Sequence, residues 1–482
     1  MDGAGWSLLA VCTLAAGFYV FAHHPFTGYL PGIGLAVTHW ILTMAAMLFA
    51  RQKGRLRIRG NARGVFLLAL SLLLGACYGI FCDNMLRLMN LPVLMLLSCQ
   101  TLMALAEDEG LNPLSVSGIW AGFCGFLPGL FRHWPLPFRA LKARRMSASG
   151  LRNRSGDVIL GLVFAVPVLT VALMLLTSAD EVFGSFMTGG LDAVMNMDAS
   201  VIPKLILTLL LALGLFSRTI EAALKQRKET KTGPENRAIS GLTVSVVLAA
   251  LDLVYAAFAA VQIRYLFLGT ESVRMAGGYA SYARSGFFQL AALAFLTLLL
   301  IGPALSVRRE NKPIRVLCSV TAVLTSVIDF SAFFRMRLYI EVYGLSLLRV
   351  LTLWAMAVIL LSLLAVLIKA ARPSRAVSPA LTAVILATWV ALNYANIDRI
   401  VAENQVARYN AGLAGWETVA ELIHAWTPDD LPAYGGLGSE EAREKARTEI
   451  ERAYGTGGDS INRPSAYDWS FSWTWAPETG KQ

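Results

Sequence analysis

Residues 335–349, which read RMRLYIEVYGLSLLR, concentrate side chains that can bind an anion. The stretch holds three arginines, two tyrosines and a glutamate between two long apolar segments. A guanidinium group matches carboxylate and phosphate oxygens with two parallel hydrogen bonds, and tyrosine adds a polar tip at a membrane surface. These residue types at this spacing therefore indicate recognition of an anionic head group.

A second stretch, residues 264–284, has the same composition and also contains Glu271. We predict that the two stretches lie at one membrane surface and form a ligand site. Its candidate ligand-binding residues are Arg264, Tyr265, Arg274, Tyr282, Arg284, Arg335, Arg337, Tyr339, Glu341 and Tyr343. The alternative is internal pairing, in which Glu271 and Glu341 bind the arginines and fix the loops, while arginine stems lie along the helix ends.

Two aspartates lie inside apolar segments. Asp252 is about half way along its segment, and Asp329 is in the outer half of its own. Because an ionisable group inside a membrane span is costly, it indicates function by default, here the binding of a proton or cation. The structural alternative is pairing with an arginine such as Arg335 or Arg264, or with hydroxyls and water.

The sequence contains no pattern that requires a metal or cofactor. His23 and His24 are adjacent and His39 follows in the next span, but no Cys, Asp or Glu accompanies them, so we interpret them as interfacial or core histidines. The six cysteines lie in apolar segments without CxxC spacing. The nucleotide-binding and hydrolase motifs GxxxxGK[ST], GxSxG and HExxH are missing from the sequence. We therefore expect no metal, no cofactor and no covalent catalysis.

The composition is that of a membrane protein. Of the 482 residues, 56% are hydrophobic and only 15% are charged, whereas soluble proteins carry about 25% charged residues. The net charge of +10 is explained by basic loops on one side of a membrane, so a nucleic-acid partner is not needed. The expected partner is the lipid bilayer.

Eleven apolar segments are predicted to span the membrane. They are residues 6–21, 33–50, 65–82, 86–106, 158–176, 205–216, 241–261, 287–305, 316–334, 347–369 and 381–393. Residues 114–130 are rich in glycine and contain Pro128, which makes a uniform helix unfavourable, although small residues allow close helix packing. We interpret this segment as a re-entrant or interfacial hairpin; a full crossing would invert every later loop.

The distribution of basic residues predicts the orientation. In this topology, alternate loops carry 26 Lys and Arg, and the opposite loops carry eight. The positive-inside rule then places the N-terminus in the cytoplasm and the C-terminal tail outside. The predicted segments are 1–110 (four spans), 111–156 (hairpin and basic loop), 157–396 (seven spans) and 397–482 (external tail).

The tail changes character and is predicted to be a small helical domain. Residues 417–426 and 439–454 have helical patterns, with Ser439 as the N-cap of the second. Three tryptophans near the end, Trp469, Trp473 and Trp475, fit either a membrane interface or the cap of a small packed unit.

Four stretches together resemble a known family. They are QIRYLFLG (262–269), YARSGFFQL (282–290), RMRLYIEVYGLSLLR (335–349) and NIDRIVAENQVARY (396–409). They are similar to the hallmark stretches of a bacterial polytopic membrane family catalogued as domain of unknown function 4173, related to 4153. The resemblance covers residues 158–432 and implies a location in the bacterial inner membrane. It implies no activity, cofactor or catalytic residue.

The sequence thus predicts an all-α polytopic membrane helix bundle with about eleven spans, one re-entrant segment and a small external C-terminal helical domain. The predicted function is non-enzymatic: binding or transport of an anionic or lipidic ligand, such as an anionic lipid or an envelope polymer, at the external Arg/Tyr/Glu site. One alternative is an envelope transferase that acts on a lipid-linked substrate with Glu341 or Asp329 as general base. Another is a scaffold or sensory partner that uses the tail. The sequence does not determine the oligomeric state.

Overall fold

The computed structural model describes residues 2–22, 32–56, 58, 61–105, 112–140, 201–224, 241–268, 287–307, 311–373, 376–424, 427–454 and 471. In this part of the chain the regular elements are helices, and no strand forms. Nine of the described helices are long and apolar enough to cross a membrane. The predicted all-α polytopic bundle is therefore confirmed, and the chain is a multi-pass membrane protein.

The chain divides into two compact units. The first consists mainly of Met1–Pro113 and Ser117–Arg227, and the second mainly of Lys228–Asn462. The described part of the C-terminal tail therefore belongs to the same unit as the later spans. The four-segment division made from hydropathy stays a prediction.

In the described part of the first unit there are six helices: α1 (Gly3–Ala22), α2 (Ile33–Gln52), α3 (Ala62–Ile80), α4 (Asn84–Leu105), α5 (Val116–Arg132) and α6 (Val201–Leu224). α1 packs along α6 and α2, and α3 packs against both α2 and α4. One core cluster joins α1, α2 and α6 through Cys12, Phe49 and Phe216, whose side chains are buried.

A polar turn joins α3 to α4, as the sequence predicts at residues 83–84. Asp83 caps α4 because its Oδ1 accepts two backbone N–H groups of the first turn, at 2.8 and 3.0 Å. Arg87, one of the eight cations of the less basic loops in the predicted topology, is buried and donates to the carbonyls of Phe81 and Tyr78 at 3.0 and 2.9 Å. Its charge holds the turn rather than facing solvent.

The glycine-rich segment differs from the irregular hairpin that we expected. Residues 116–132 form one continuous helix, α5, with Pro128 inside it. Its glycines permit a close approach to α4: a Cβ on Gly122 would lie 2.4 Å from the side-chain nitrogen of Gln100, which itself donates to the carbonyl of Gly118 at 3.1 Å. The close packing follows from the small residues, whereas a re-entrant position for α5 stays a prediction.

The second unit contains α7 (Gly241–Leu268), α8 (Phe287–Val307), α9 (Lys312–Tyr343), α10 (Leu347–Ala371), α11 (Val377–Tyr394), α12 (Ile397–Asn410), α13 (Trp416–Ile423), a 3-10 helix (Pro428–Gly436) and α14 (Glu440–Tyr454). α9 is central, since it packs against α7, α8 and α10. Its 32 residues are about 48 Å long, longer than a hydrocarbon core of about 30 Å. Its C-terminal end can therefore project from the bilayer.

Ten of the eleven predicted spans are helical in the described residues, and the remaining one, 158–176, lies outside them. The spans predicted at 205–216 and 381–393 are longer than expected, because α6 and α11 extend beyond both ends of the apolar run. The apolar part of α8, Gln289–Leu305, is shorter than the nine spanning helices.

The tail is helical where the sequence predicts it to be. Ser439 caps α14, since its hydroxyl accepts the backbone N–H of Ala442 at 3.1 Å. α12 was not predicted as a helix. The three tryptophans Trp469, Trp473 and Trp475 lie outside the described residues.

Candidate functional site

Gly344 ends α9 and sets the geometry of the 335–349 stretch. Its φ is +74°, and its N–H donates to the carbonyl of Ile340 at 2.7 Å. A Cβ at this position would lie 2.5 Å from the side-chain nitrogen of Gln405 and 2.8 Å from the Cδ of Arg408. Both the backbone conformation and the space therefore require glycine.

α12 closes the C-terminal end of α9. Gln405 donates from Nε2 to the carbonyls of Tyr343 and Leu345 at 3.2 and 2.9 Å, and Arg408 donates from Nη1 to the carbonyl of Glu341 at 2.8 Å. Asn404 accepts the N–H of Leu345 at 2.8 Å. These bonds satisfy backbone groups that a helix end leaves open. Two of the four stretches that carry the family resemblance, 335–349 and 396–409, thus bind each other.

Arg349 also serves this helix end. Its guanidinium lies 4.5 Å from the ring centre of Tyr339 and donates to the carbonyl of Gly344 at 2.6 Å. The rings of Tyr339 and Tyr343 are 4.8 Å apart. The stack fixes α9 to the start of α10 by a cation–π contact and a hydrogen bond. The alternative that we gave was pairing of the arginines with Glu271 and Glu341, whereas Arg349 contacts a tyrosine ring and a backbone carbonyl.

Arg337 faces outward. It forms an ion pair with Glu341 one turn later, at 3.2 Å, and the two side chains are 69% and 56% exposed. A pair so open to solvent contributes little stability, so a ligand phosphate can replace Glu341 at small cost. Arg335, two residues earlier, is half-buried.

The helix register brings the C-terminal end of α7 to the same end of the bundle. A methyl group on Gly241 would lie 3.1 Å from the side chain of Asn311, and Thr321 contacts Asp252. α7 and α9 therefore run parallel, and equal rise per residue puts position 264 at the level of position 333. The side chains of Arg264 and Tyr265, and all of Arg274, Tyr282 and Arg284, lie outside the description.

The two aspartates of the apolar segments, Asp252 and Asp329, lie on two helices of the second unit that pack against each other. Asp252 on α7 accepts from the hydroxyl of Thr321 on α9 at 2.6 Å, and its second oxygen has no partner among the described residues. Asp329 lies two turns beyond Thr321 on α9, is 3% exposed, and its Oδ1 likewise lacks a described partner. The hydroxyl pairing that we gave as an alternative is thus present for Asp252, and Asp329 forms no ion pair with a described residue.

A buried charged cluster in the first unit escaped the sequence argument. α6 extends to residue 224, so Arg218 and Glu221 lie inside a helix and are buried. Glu221 binds His133 at 2.9 Å and Arg132 at 3.2 Å, at the end of α5. The helical spacing of Phe216, Ile220 and Leu224 is the signal that could have revealed the longer helix.

Arg218 lines a small, mainly apolar cavity of about 160 Å³ between α2, α4 and α6. It donates to the Sγ of Cys99 from Nε and Nη2 at 2.9 and 2.8 Å. His39 also lines the cavity and shares a 3.0 Å hydrogen bond with the hydroxyl of Ser71, which agrees with a core histidine. His23 and His24 lie outside the described residues, and the described part contains no group of three potential metal ligands.

A family model described as domain of unknown function (DUF4153) matches residues 8–433. The chain belongs to this family. No curated protein and no solved structure matches the chain. The match confirms the resemblance to the 4153 family and extends it from residues 158–432 back to residue 8, whereas the 4173 family is not shown.

Proposed function

We propose that this DUF4153 protein lies in the bacterial inner membrane and binds an anionic or lipidic ligand at the outer end of α9. The observation that supports the proposal is that the arginines at that end have different partners. Arg349 and Arg408 bind carbonyls of the α9 terminus, while Arg337 is held outward on a fixed platform and, among the residues that the structure describes, pairs only with an exposed carboxylate.

The chemistry of the platform suits a phosphate. Arg337 presents an exposed guanidinium group on the last turns of α9, and such a fork matches phosphate oxygens with two parallel hydrogen bonds. Arg264, Tyr265, Arg274, Tyr282 and Arg284 would complete the site from the α7 side. A phosphate can displace Glu341 because an exposed ion pair is weak.

Movement of the ligand, rather than binding alone, is favoured by the buried carboxyl oxygens of Asp252 and Asp329, which lack described partners. Such groups in a membrane span suit a coupling proton or cation. The transferase alternative requires an acidic residue in a lateral cleft, whereas the groove between α9 and α10 is lined by Lys312 and Arg315 and by no described acid. The scaffold alternative rests on the tail alone.

The test is mass spectrometry of lipids and small molecules that co-purify with the protein, with and without Arg337→Ala. We expect the variant to insert normally and to lose most of the co-purifying anionic ligand, because a charge-assisted bidentate contact is lost. In cells, Arg337→Ala is expected to fail to complement a deletion phenotype, whereas Glu341→Ala removes only the carboxylate that a phosphate would displace and should complement.

Arg399→Ala is the matched control, because Arg399 forms the same i,i+4 exposed ion pair, with Glu403 at 2.7 Å, on α12. It should keep both the ligand and the phenotype. Full complementation by Arg337→Ala, together with unchanged co-purification, would refute the proposal.

A further inference from the structure

A groove of about 640 Å³ lies between α9 and α10, at the end of α9 opposite to the Arg337 platform. Its residues on α9 share one face of the helix: Lys312, Arg315, Val316, Ser319, Val320 and Val323. Leu367 and Ala370 of α10 form the other wall. A groove of this size is in the range of small-molecule sites. Along α9, the two cations lie at the mouth of the groove and the valines follow them toward the middle of the helix.

The two cations differ in what they contact. Arg315 donates from Nε to the carbonyl of Ala370 at 2.8 Å, which holds the end of α10 against α9. Lys312 is exposed and forms no ion pair or hydrogen bond with a residue that the structure describes. Positive charge at the groove mouth is therefore not neutralised by a described carboxylate.

The length of the groove matches one leaflet of a bilayer. From Lys312 to Val323 the helix rises about 16 Å, and half of a hydrocarbon core is about 15 Å. Val316, Val320 and Val323 are 62%, 41% and 51% exposed, so an apolar stripe follows the cations into the depth of one leaflet. A small water-soluble anion would contact the two cations but would leave the apolar valine stripe uncovered.

We propose that this groove binds one anionic phospholipid of the leaflet in which α9 begins. The phosphodiester head lies against Lys312 and Arg315, and an acyl chain lies along the valine stripe and Leu367. Basic positions between membrane helices are suited to anionic head groups, and the charge at the mouth selects an anionic lipid over a zwitterionic one. This site is separate from the outer platform and goes beyond the function proposed above.

The experiment uses the full chain, delipidated in detergent and titrated with short-chain phosphatidylglycerol or phosphatidylcholine, with bound lipid counted by native mass spectrometry. We expect wild type to bind phosphatidylglycerol more tightly, and Lys312→Gln to weaken that binding about fivefold with little change for phosphatidylcholine. Lys445→Gln, at an exposed lysine of α14 that pairs with Glu441, is the matched charge control and should bind as wild type does.

A second variant tests the apolar part. Val320→Trp fills the stripe and should reduce binding of both lipids while Lys312 is intact. Equal affinity of wild type for the two lipids, or a Lys312→Gln variant that binds phosphatidylglycerol like Lys445→Gln, would overturn the proposal. Neither variant alters Arg337, so failure here leaves the outer-site test unaffected.

Discussion

Arg337, Arg349 and Arg408 lie around one helix end but meet different surroundings. Arg349 and Arg408 donate to carbonyls that α9 cannot satisfy within its own helix, whereas Arg337 pairs with an exposed carboxylate. An arginine that donates to backbone carbonyls has fewer N–H groups left to bind a ligand. Substituting Arg349 or Arg408 therefore tests the fold, and only Arg337 among these three tests ligand binding.

A buried carboxyl in the tail makes stability depend on pH. Burial, helped by the charge of the adjacent Asp429, raises the pKa of Asp430 to about 7 against the opposing effect of the Tyr434 hydroxyl, which donates to Asp430 at 2.7 Å. The folded chain thus binds more protons than the unfolded chain between about pH 4 and pH 7. Stability should fall as pH rises through this window, by on the order of 4 kcal/mol.

Thermal unfolding followed between pH 5 and pH 8 checks this expectation, with Asp430→Asn as the comparison. The amide stays uncharged, so the variant should lose most of the pH dependence and should be the more stable form at pH 8. Parallel pH profiles for wild type and Asp430→Asn would contradict the assignment.

At the scale of one element, the end of α9 depends on a single glycine. Gly344→Ala should destabilise the protein for two reasons: a backbone at φ +74° and ψ −174° is almost exclusive to glycine and costs another residue on the order of 1–3 kcal/mol, and the new methyl group would collide with Gln405. Gly412 has a similar φ of +72° but open space around it, so Gly412→Ala measures the backbone cost alone.

We therefore expect the melting temperature in detergent to fall for both variants and to fall further for Gly344→Ala. Limited proteolysis should also cut between α11 and α12 faster in Gly344→Ala, because α12 loses its contacts with the α9 terminus. Equal losses for the two variants would show that the α9–α12 contact adds nothing.

The helices themselves were predictable, because long apolar runs reveal a membrane span without any tertiary information. Their ends were not. α6 continues past its apolar run through Arg218 and Glu221, whose burial depends on partners, Cys99 and His133, that are distant in the sequence. α5 is a continuous helix despite its glycines, because the space they leave is occupied by Gln100 of α4.

The sequence predicted which residue types make up the candidate site but not which residues contact one another there. The stretch 335–349 was correctly singled out as charged and aromatic, yet nothing in it shows that its Gly344 lies under Gln405 of α12. Sequence also did not reveal α12 as a helix. Such contacts arise from tertiary packing. The sequence pattern predicts which arginines lie close together, and packing determines what each of them contacts.

At the scale of the whole molecule, the relative sides of some segments already follow from connectivity. α9 and α10 are joined by three residues, and α12 follows α11 directly. The described tail therefore lies at the Arg337 end of the second unit, as the predicted topology requires. The groove at Lys312 and residue 376, just before α11, lie at the other end.

Labelling of single cysteines with an impermeant thiol reagent in intact cells tests the full topology. Glu451→Cys, exposed on α14, should react, and Ala376→Cys, exposed before α11, should react only after lysis. The wild-type background should be low, since the five described cysteines are buried.

Gln52→Cys, exposed at the end of α2, then decides the position of α5. If α5 is re-entrant, an odd number of spans separates Gln52 from the tail, and Gln52→Cys reacts only after lysis. If α5 crosses the membrane, the number becomes even, and Gln52→Cys reacts in intact cells together with Glu451→Cys.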